Sequence, residues 1–326
     1  MQQKGASAVR PVLYIVVPCY NEELVLPITS QLFLQQLTAM TQKGLIHPDS
    51  RILFVDDGSK DKTWDVILSL SQQDPHFLGI RQSRNRGHQN AVLAGLMEAM
   101  ERCDITVSID CDGQDDIIAM ERMVVAYLDG CEIVYGVRSS RNTDTPAKRL
   151  SAELYYKMLR RLGVEVVFNH ADYRLVSQKA LRAFAEYGEV NLYLRGLFPL
   201  VGFKTTCVSY ERKERIAGKS HYPLKRMLAL ALDGITSLSI QPIRMITGLG
   251  FLTATAGLLG LLWCSVSQSG NLTHWLICLM GGIQLISTGV IGEYVGRIHQ
   301  EVKHRPRYVI SERTEQMDRA EEWVKK

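Results

Sequence analysis

Short, β-rich apolar runs alternate with longer stretches of helical periodicity between residue 12 and about residue 136. Strands that alternate with helices are typical of βαβ units built around a mostly parallel sheet flanked by helices. The pattern therefore predicts a Rossmann-like α/β fold in this part of the chain. The predicted strands cover residues 12–17, 51–56, 77–81, 104–109 and 132–136.

Each predicted strand is followed by a loop that is rich in polar and charged residues. In open α/β sheets, ligands bind outside the carboxyl ends of the strands. We therefore expect these loops to converge on one edge of the sheet and to carry the chemistry of the protein. The loops cover residues 19–23, 57–61, 85–88, 110–115 and 138–141.

The second half of the chain has a pattern that suits a membrane. Residues 212–226 carry six Lys or Arg against one Glu, and residues 224–240 read as an amphipathic helix, a combination that suits an interface with anionic lipid. Two uncharged runs follow, 245–266 and 275–292, the second extendable to residue 298. Each is long enough to cross a hydrocarbon core of about 30 Å. We therefore predict two transmembrane helices, with a buried helical hairpin in a soluble protein as the alternative.

Lys and Arg lie before the first run and after the second, whereas the short segment between the runs has neither. The positive-inside rule then predicts a multi-pass protein of the cell inner (plasma) membrane, with the catalytic domain and both termini in the cytoplasm. No export signal is seen near the start of the sequence. The predicted organisation is a catalytic domain over 1–211, an interface segment over 212–242, two membrane helices over 243–298 and a cytoplasmic tail over 299–326.

The amino-acid composition limits which partners the chain can bind and which roles its cysteines can have. The formal net charge of the 326 residues is only +4, so bulk charge gives no support for a nucleic-acid partner. The seven cysteines are odd in number and contain no CxxC pair, which argues against a disulfide framework and against a zinc site.

Asp110 and Asp112 follow a predicted strand and are separated by one residue. Two carboxylates so placed can hold a hard divalent cation that bridges two phosphates, and Gln114 could add a neutral oxygen. Mg²⁺ or Mn²⁺ fits better than zinc, because no His or Cys cluster surrounds the pair. An ordinary aspartate-rich turn is the alternative interpretation.

Asp56 and Asp57 also stand at the end of a predicted strand. Their carboxylates can accept the ring N–H of a uracil or a guanine, while Asp61 or Thr63 caps the helix that follows. A simple capped turn explains residues 59–63 well, but it gives no reason for the two adjacent carboxylates.

Four motifs, in this order along the chain, resemble those of the family 2 glycosyltransferases with the GT-A fold: VPCYNEE at 17–23, DDGSKDKT at 56–63, NRGHQN at 85–90 and DCDGQD at 110–115. The rest of the chain resembles one branch, the polyprenyl-phosphate glycosyltransferases related to dolichol-phosphate mannose synthase and the bactoprenol glucosyltransferases. The resemblance implies that one group of residues binds the donor nucleotide and another holds the metal. The first group is Pro18, Tyr20, Glu22, Asp57 and Asp110, and the second is Asp110, Asp112 and Gln114.

The resemblance also implies sites for the phosphates. Arg138, Arg141, Lys148 and Arg149 would meet the acceptor phosphate, because guanidinium groups grip phosphate bidentately; a solvated basic helix face is the alternative. Residues 215–222 resemble the family's R-x-x-G-x-S-K-Y loop, which closes over the donor through Arg215, Lys219 and Ser220. Here His221 replaces the usual lysine, and Asp115-Asp116-Ile117 replaces the common D-P-P after the metal motif.

Asp172 stands where the family has an aspartate proposed as a general base, and it is the predicted catalytic residue. A phosphate monoester with a second pKa of about 6 is already largely a dianion at neutral pH and needs no base to attack. The sequence therefore leaves two equal roles for Asp172, a base or a group that orients an arginine or the acceptor.

The function implied is inverting transfer of a single sugar, with glucose from UDP-glucose as the best guess, to undecaprenyl (polyprenyl) phosphate at the cytoplasmic membrane face. The product would be a lipid-linked sugar for cell-envelope glycan modification. UDP-N-acetylglucosamine, UDP-galactose and GDP-mannose remain alternative donors. A processive polysaccharide synthase is disfavoured because no QxxRW segment is present, and a non-catalytic scaffold because the carboxylates are intact. Expected partners include a second copy of the chain, as in a homo-oligomer such as a tetramer, and a downstream flippase.

Overall fold

The computed structural model describes residues 10–139, 170–188, 193–212, 272–303 and 305–317, and the fold is given for these ranges. They contain an eight-stranded sheet with the order β7-β5-β6-β4-β1-β2-β3-β8. The strands are β1 (Leu13–Cys19), β2 (Arg51–Asp56), β3 (Phe77–Gln82), β4 (Ile105–Ser108), β5 (Ile133–Arg138), β6 (His170–Ser177), β7 (Thr205–Tyr210) and β8 (Ile310–Arg313).

The five strands predicted from the sequence are confirmed, each within two residues at either end. β1 pairs in parallel with β2 and β4, β2 pairs in parallel with β3, and β5 pairs in parallel with β7. Three strands were not predicted. Two of them make the antiparallel pairings: β6 lies between β4 and β5, and β8 lies on the outer edge of β3. The third, β7, adds in parallel to β5 at the other edge.

Helices cover both faces of the sheet, so the architecture has three layers. Leu13, Ile15 and Val17 of β1 pack with α1, α2 and α4, while Tyr14 and Val16 pack with α3, α5 and α6. Because both faces of β1 are buried, its sequence is almost continuously apolar. The helices are α1 (Leu26–Gln42), α2 (Thr63–Gln73), α3 (His88–Met100), α4 (Ala119–Leu128), α5 (Gln178–Ala185) and α6 (Leu194–Leu200).

The C-terminal part of the chain returns to the sheet. Helix α7 (Leu272–Val302) is followed by β8, which lies in the segment that the sequence assigns to a tail. Thr314 Oγ1 accepts a hydrogen bond from the backbone N–H of Gly79 at 3.1 Å, and Met317 is fully buried. Thr314 and Met317 are therefore part of the packing of this sheet.

Within the described residues, no helix combines the length and the apolar character needed to cross a membrane. The second predicted span, 275–292, lies within α7. The first, 245–266, lies outside the described residues, as does the interface segment from residue 213 onward. The two-span arrangement is thus unconfirmed and stays a prediction.

Candidate active site

The loops after β1 and β2 are locked together by short polar contacts. The backbone N–H of Asn21 donates to Ser59 Oγ at 3.0 Å, and Asn21 Oδ1 accepts from the backbone N–H of Lys60 at 2.9 Å. The backbone N–H of Glu22 donates to Thr63 Oγ1 at 2.9 Å. Because of these contacts, the predicted donor residues Tyr20 and Glu22 sit on a braced loop.

Asp57 connects the β2 loop to the start of α3. Its Oδ1 and Oδ2 accept hydrogen bonds from the backbone N–H groups of Arg86 at 2.7 Å and Gly87 at 2.9 Å. Burial of the carboxyl group raises the pKa of Asp57 to about 6. The two hydrogen bonds lower this pKa, but their effect is smaller than that of burial. The buried carboxylate thus holds the turn before α3 in place, next to the position predicted for the nucleotide. Pro18, another predicted donor residue, lies in β1 opposite Val55 of β2.

Gly58 allows the β2 loop and the segment before α3 to approach closely. Its φ is +64°, and a Cβ atom there would lie 2.6 Å from the backbone carbon of Arg84. Only glycine tolerates both the left-handed conformation and that separation.

Three carboxylates lie close together at the end of β4. Burial raises the pKa of Asp110, and the negative charges of Asp112 and Asp172 raise it further. His88 lowers this pKa, but its effect is smaller than that of burial. A divalent cation would relieve this repulsion, and Mg²⁺ commonly binds through one or two carboxylates plus substrate phosphates. Within the described ranges, no three His, Cys, Asp or Glu side chains are arranged to hold a metal by themselves. The residues therefore fit a cation that completes its coordination with the substrate.

Gln114, the third predicted metal ligand, is already engaged. Its Oε1 accepts a hydrogen bond from Arg212 Nη2 at 2.6 Å, and its backbone N–H donates to Asp112 Oδ1 at 3.1 Å. A carbonyl oxygen has two lone pairs, so Gln114 can serve a metal only while it shares that oxygen with Arg212.

Asp172 lies among cations. Arg195 donates to it through Nε at 3.1 Å and Nη2 at 3.0 Å, and Arg174 donates through Nη2 at 2.9 Å. His88 Nε2 lies 3.4 Å from Asp172 Oδ2, the oxygen that also accepts from Arg195 Nη2, and 3.6 Å from Asp110 Oδ1. Burial would raise the pKa of Asp172, but Arg195, His88 and Arg174 together hold it well below its usual range.

The same arrangement sets the charge of His88. Burial lowers its pKa, whereas the carboxylates of Asp110 and Asp172 raise it to about 9. The imidazole is therefore protonated at neutral pH and connects the predicted metal site to the predicted catalytic residue.

Arg138 lies at the end of β5 beside a second buried carboxylate. Its guanidinium is 4.0 Å from Asp115 Oδ1, which also accepts a hydrogen bond from Tyr210 Oη at 2.6 Å. Burial raises the pKa of Asp115 to about 6. The remaining predicted phosphate-binding residues lie outside the described residues: Arg141, Lys148, Arg149, Arg215, Lys219 and Ser220.

The strand order divides this edge of the sheet into two halves. Asp56 and Asp57 at the end of β2 and Glu22 in the loop after β1 form an acidic half, with the metal loop after β4 at its border, whereas the loop after β3 carries Arg84 and Arg86. β6, β5 and β7 lie beyond that border. They and the adjoining α6 contribute a guanidinium half, which consists of Arg174, Arg195, Arg138 and Arg212.

The sequence analysis gave no role to His88, Arg195 or Tyr210, and it placed Arg212 in the membrane-interface segment, whereas Arg212 contacts Gln114 of the metal loop. His88 stood in a motif that was recognised, so its position could have been noted. Arg195 is the single charged residue of a short, otherwise apolar helix, and this is the one feature of the sequence that could have indicated a role for it. Tyr210 and Arg212 meet the metal loop through pairing of β7 with β5, which was not predicted.

The chain belongs to glycosyl transferase family 2, whose family model matches residues 14–184, and it is a glycosyltransferase. It is 46% identical over 315 residues to the uncharacterized glycosyltransferase YkoT of Bacillus subtilis. The alignment covers 92% of this chain and 91% of that protein. It is 35% identical to the bactoprenol glucosyl transferase of Shigella phage SfX, over 92% of this chain and 98% of that protein. The polyprenyl-phosphate branch recognised in the sequence is thereby confirmed.

Solved structures give a weaker likeness. Glucosyl-3-phosphoglycerate synthase from Mycobacterium tuberculosis, in complex with Mn²⁺, UDP and phosphoglyceric acid, aligns with a TM-score of 0.45 and 17% identity. The alignment covers 70% of this chain and 77% of that one.

Proposed function

We propose that this glycosyltransferase moves one glucose from UDP-glucose to undecaprenyl (polyprenyl) phosphate and inverts the anomeric configuration. The observation that carries the proposal is the 35% identity, over nearly the full length of both chains, to a bactoprenol glucosyl transferase. The divided edge of the sheet supports it, because a carboxylate half suits the nucleoside and a guanidinium half suits a second phosphate.

The reaction is written as a single displacement. An oxygen of the lipid phosphate forms a bond to the anomeric carbon, and the bond from that carbon to the diphosphate of UDP breaks, with the electron pair leaving on the diphosphate. A divalent cation, Mg²⁺ or Mn²⁺, held by Asp110 and Asp112 would neutralise charge on that diphosphate. Asp57 and the loop of Tyr20 and Glu22 bind and orient the nucleoside.

Asp172 acts in this proposal as an orienting group. Its carboxylate accepts hydrogen bonds from two arginines and lies beside a cationic histidine. A base must release these partners before it can take a proton, whereas the acceptor phosphate, with a second pKa of about 6, has no proton that must be removed.

The acceptor lipid places the reaction at a membrane surface. We propose the cytoplasmic face of the inner membrane, with both termini in the cytoplasm and the spans at 245–266 and 275–292, on the strength of the charge pattern around these runs. A homo-oligomer, a flippase that consumes the product and a use in cell-envelope glycan modification are further predictions.

The test is transfer of label to lipid. Membranes that contain the full chain are incubated with undecaprenyl phosphate and one of four labelled donors: UDP-glucose, UDP-N-acetylglucosamine, UDP-galactose or GDP-mannose. We expect a lipid product from UDP-glucose that disappears with EDTA and returns with Mn²⁺. Label from another donor would correct the sugar, and no lipid product from any donor would refute the acceptor.

A pair of variants tests the metal loop in the same assay. Asp112→Asn is expected to lower transfer by about 100-fold or more, since even residues that only support metal ligands typically contribute 10–100-fold. Asp116→Asn, in the same loop, is the matched control and should leave transfer within about twofold. Equal activity in both variants would remove the metal role of Asp112.

A further inference from the structure

Three charged side chains of alternating sign stand in a row across the strands β2, β3 and β8. Asp56 of β2 lies opposite Arg81 of β3, and Arg81 lies opposite Glu312 of β8. Residues directly opposite each other in neighbouring strands have their side chains on the same face of the sheet. Arg81 Nε lies 3.3 Å from Asp56 Oδ2, and Arg81 Nη1 donates to Glu312 Oε1 at 2.8 Å. The C-terminal strand is therefore joined to Asp56 through one arginine.

We propose that Arg81 and Glu312 are positioning residues for the donor nucleotide, and that they act through Asp56 on the loop that follows β1. The inference rests on the proposed function, which places the nucleoside at that loop. It gives a role in donor binding to β8, which lies in the segment that the sequence analysis assigned to a tail.

Asp56 depends on Arg81 to remain charged. The side chain of Asp56 is fully buried, and within the described ranges its Oδ2 accepts no hydrogen bond, so the charge of Arg81 is what stabilises this oxygen. Burial raises the pKa of Asp56, whereas the hydrogen bonds from Ser59 and the charge of Arg81 lower it. A buried carboxylate that loses its cation takes up a proton more readily. Loss of Arg81 therefore makes Asp56 a weaker hydrogen-bond acceptor.

Asp56 in turn holds the turn that braces the loop after β1. Its Oδ1 accepts a hydrogen bond from the backbone N–H of Ser59 at 3.0 Å, and Ser59 Oγ accepts one from the backbone N–H of Asn21 at 3.0 Å. Asn21 has a φ of +55°, a left-handed conformation that a residue other than glycine keeps at a cost and with support from its surroundings. It stands between Tyr20 and Glu22, so weaker support at Asn21 should displace both predicted donor residues.

Glu312 keeps the guanidinium of Arg81 turned towards Asp56. The side chain of Arg81 is 32% exposed, so without a second partner it could extend into solvent. Glu312 Oε1 accepts from Arg81, and Glu312 Oε2 accepts from the indole Nε1 of Trp64 at 3.0 Å, which fixes the carboxylate. The guanidinium of Arg81 also lies 6.0 Å from the centre of the Trp64 ring. Glu312 thus acts on Asp56 through Arg81.

The test is a double-mutant cycle that is read as donor binding. The full chain in detergent is titrated with UDP in the presence of Mn²⁺, as the wild type, Glu312→Gln, Arg81→Gln and the double variant. We expect Arg81→Gln to weaken UDP binding by about tenfold and Glu312→Gln by about threefold. Because Glu312 acts through Arg81, the double variant should bind UDP no more weakly than Arg81→Gln does. Arg81→Lys keeps the charge and should restore part of the binding that Arg81→Gln loses.

Arg313→Gln is the matched control in the same strand. Arg313 is 32% exposed, like Arg81, and pairs with Glu98 at 2.9 Å. Its loss weakens the attachment of β8 without removing a partner of Arg81 or Asp56. UDP binding in this variant should stay within about twofold of the wild type, and urea unfolding measures the stability of every variant alongside.

The inference would be overturned if Arg81→Gln bound UDP as the wild type does, if the two single losses added in the double variant, or if Arg313→Gln lost as much affinity as Glu312→Gln. If Arg81→Gln does not fold, Glu312→Gln compared with Arg313→Gln decides the result. A wild-type chain that binds no UDP would also overturn the inference. A chain that binds UDP with the expected pattern but transfers no sugar to lipid would refute the proposed function and leave this assignment standing.

Discussion

The indole Nε1 of Trp64 donates a hydrogen bond to Glu312 Oε2 at 3.0 Å, across 248 positions of the chain. The other oxygen of Glu312 accepts from Arg81 Nη1 at 2.8 Å, and Arg81 Nε lies 3.3 Å from the fully buried Asp56. The C-terminal strand is thus linked by polar contacts to the loop predicted to bind the nucleoside. Changes in β8 should be felt in the acidic half of the site.

Thr314→Val should destabilise the protein by about 1–3 kcal/mol, because the backbone N–H of Gly79 loses its buried acceptor. Ser311→Ala, three residues earlier, removes a hydrogen bond to Arg81 at an exposed position and should change stability by less than about 0.5 kcal/mol. Urea unfolding of both variants measures the difference. Equal losses would mean that the Thr314 hydroxyl contributes little through this contact.

Gly58→Ala should be more damaging than Gly130→Ala. Both glycines have positive φ, at +64° and +88°, so each alanine costs about 1–2 kcal/mol in conformation. Only at position 58 would the new Cβ meet backbone atoms, 2.6 Å from Arg84, whereas at 130 its nearest contact is Lys204 Nζ at 3.8 Å. Thermal unfolding of the two variants should show a clearly lower Tm for Gly58→Ala, and a similar Tm would contradict the close approach.

Asp57 should make the protein less stable as pH rises from about 4 to about 6. Burial raises its pKa to about 6 from an ordinary 3.8, so the folded state holds a proton that the unfolded state has released across that interval. The effect amounts to up to about 3 kcal/mol. Asp57→Asn removes this titration, so its stability at pH 7 relative to pH 4.5 should fall less than that of the wild type.

Asp129→Asn, at an exposed position, controls for the loss of one carboxylate. Its free energy of unfolding should follow the wild-type pH dependence. If Asp57→Asn also follows the wild type, then Asp57 does not carry the burial penalty assigned to it.

Asp172→Asn should lower kcat/KM by at least about tenfold through loss of charged hydrogen bonds to Arg174 and Arg195. The acidic limb of the pH–rate profile should stay in place, near the second pKa of the acceptor phosphate at about 6. This follows because the pKa of Asp172 is held well below that region. Glu101→Gln, which loses a surface pair with Arg182, is the control. A limb that vanishes in Asp172→Asn would restore the role of general base.

The parallel core of the fold could be predicted because its strands are buried on both faces and are mostly apolar. β1 and β2 show this directly, since residues such as Ile15 and Phe54 leave no polar alternation to confuse the pattern. β8 could not be predicted, because Ile310–Arg313 has one apolar residue and three polar ones. Its place is set by pairing with β3 from more than two hundred residues away.

The predicted site residues that lie in the described ranges gather at one edge of the sheet. The local roles of some of these residues could not be predicted from the sequence. A motif identifies Asp57 as important, yet only the fold reveals that both of its oxygens hold the backbone at Arg86 and Gly87. Arg195 is a further case, because the contact that orients it joins a helix to a strand 23 positions earlier. Such contacts depend on tertiary packing and leave no periodic signal in the sequence.

Because β8 comes more than two hundred residues after β3 in the sequence, it also affects how the sheet can form during synthesis. The N-terminal strands leave the ribosome first, and the outer edge of β3 then has unpaired backbone groups until residues 310–313 emerge. An unpaired edge is a ready template for pairing with another chain. A newly made chain is therefore exposed to aggregation along this edge until β8 has been synthesised, and a premature stop after α7 would make that exposure permanent.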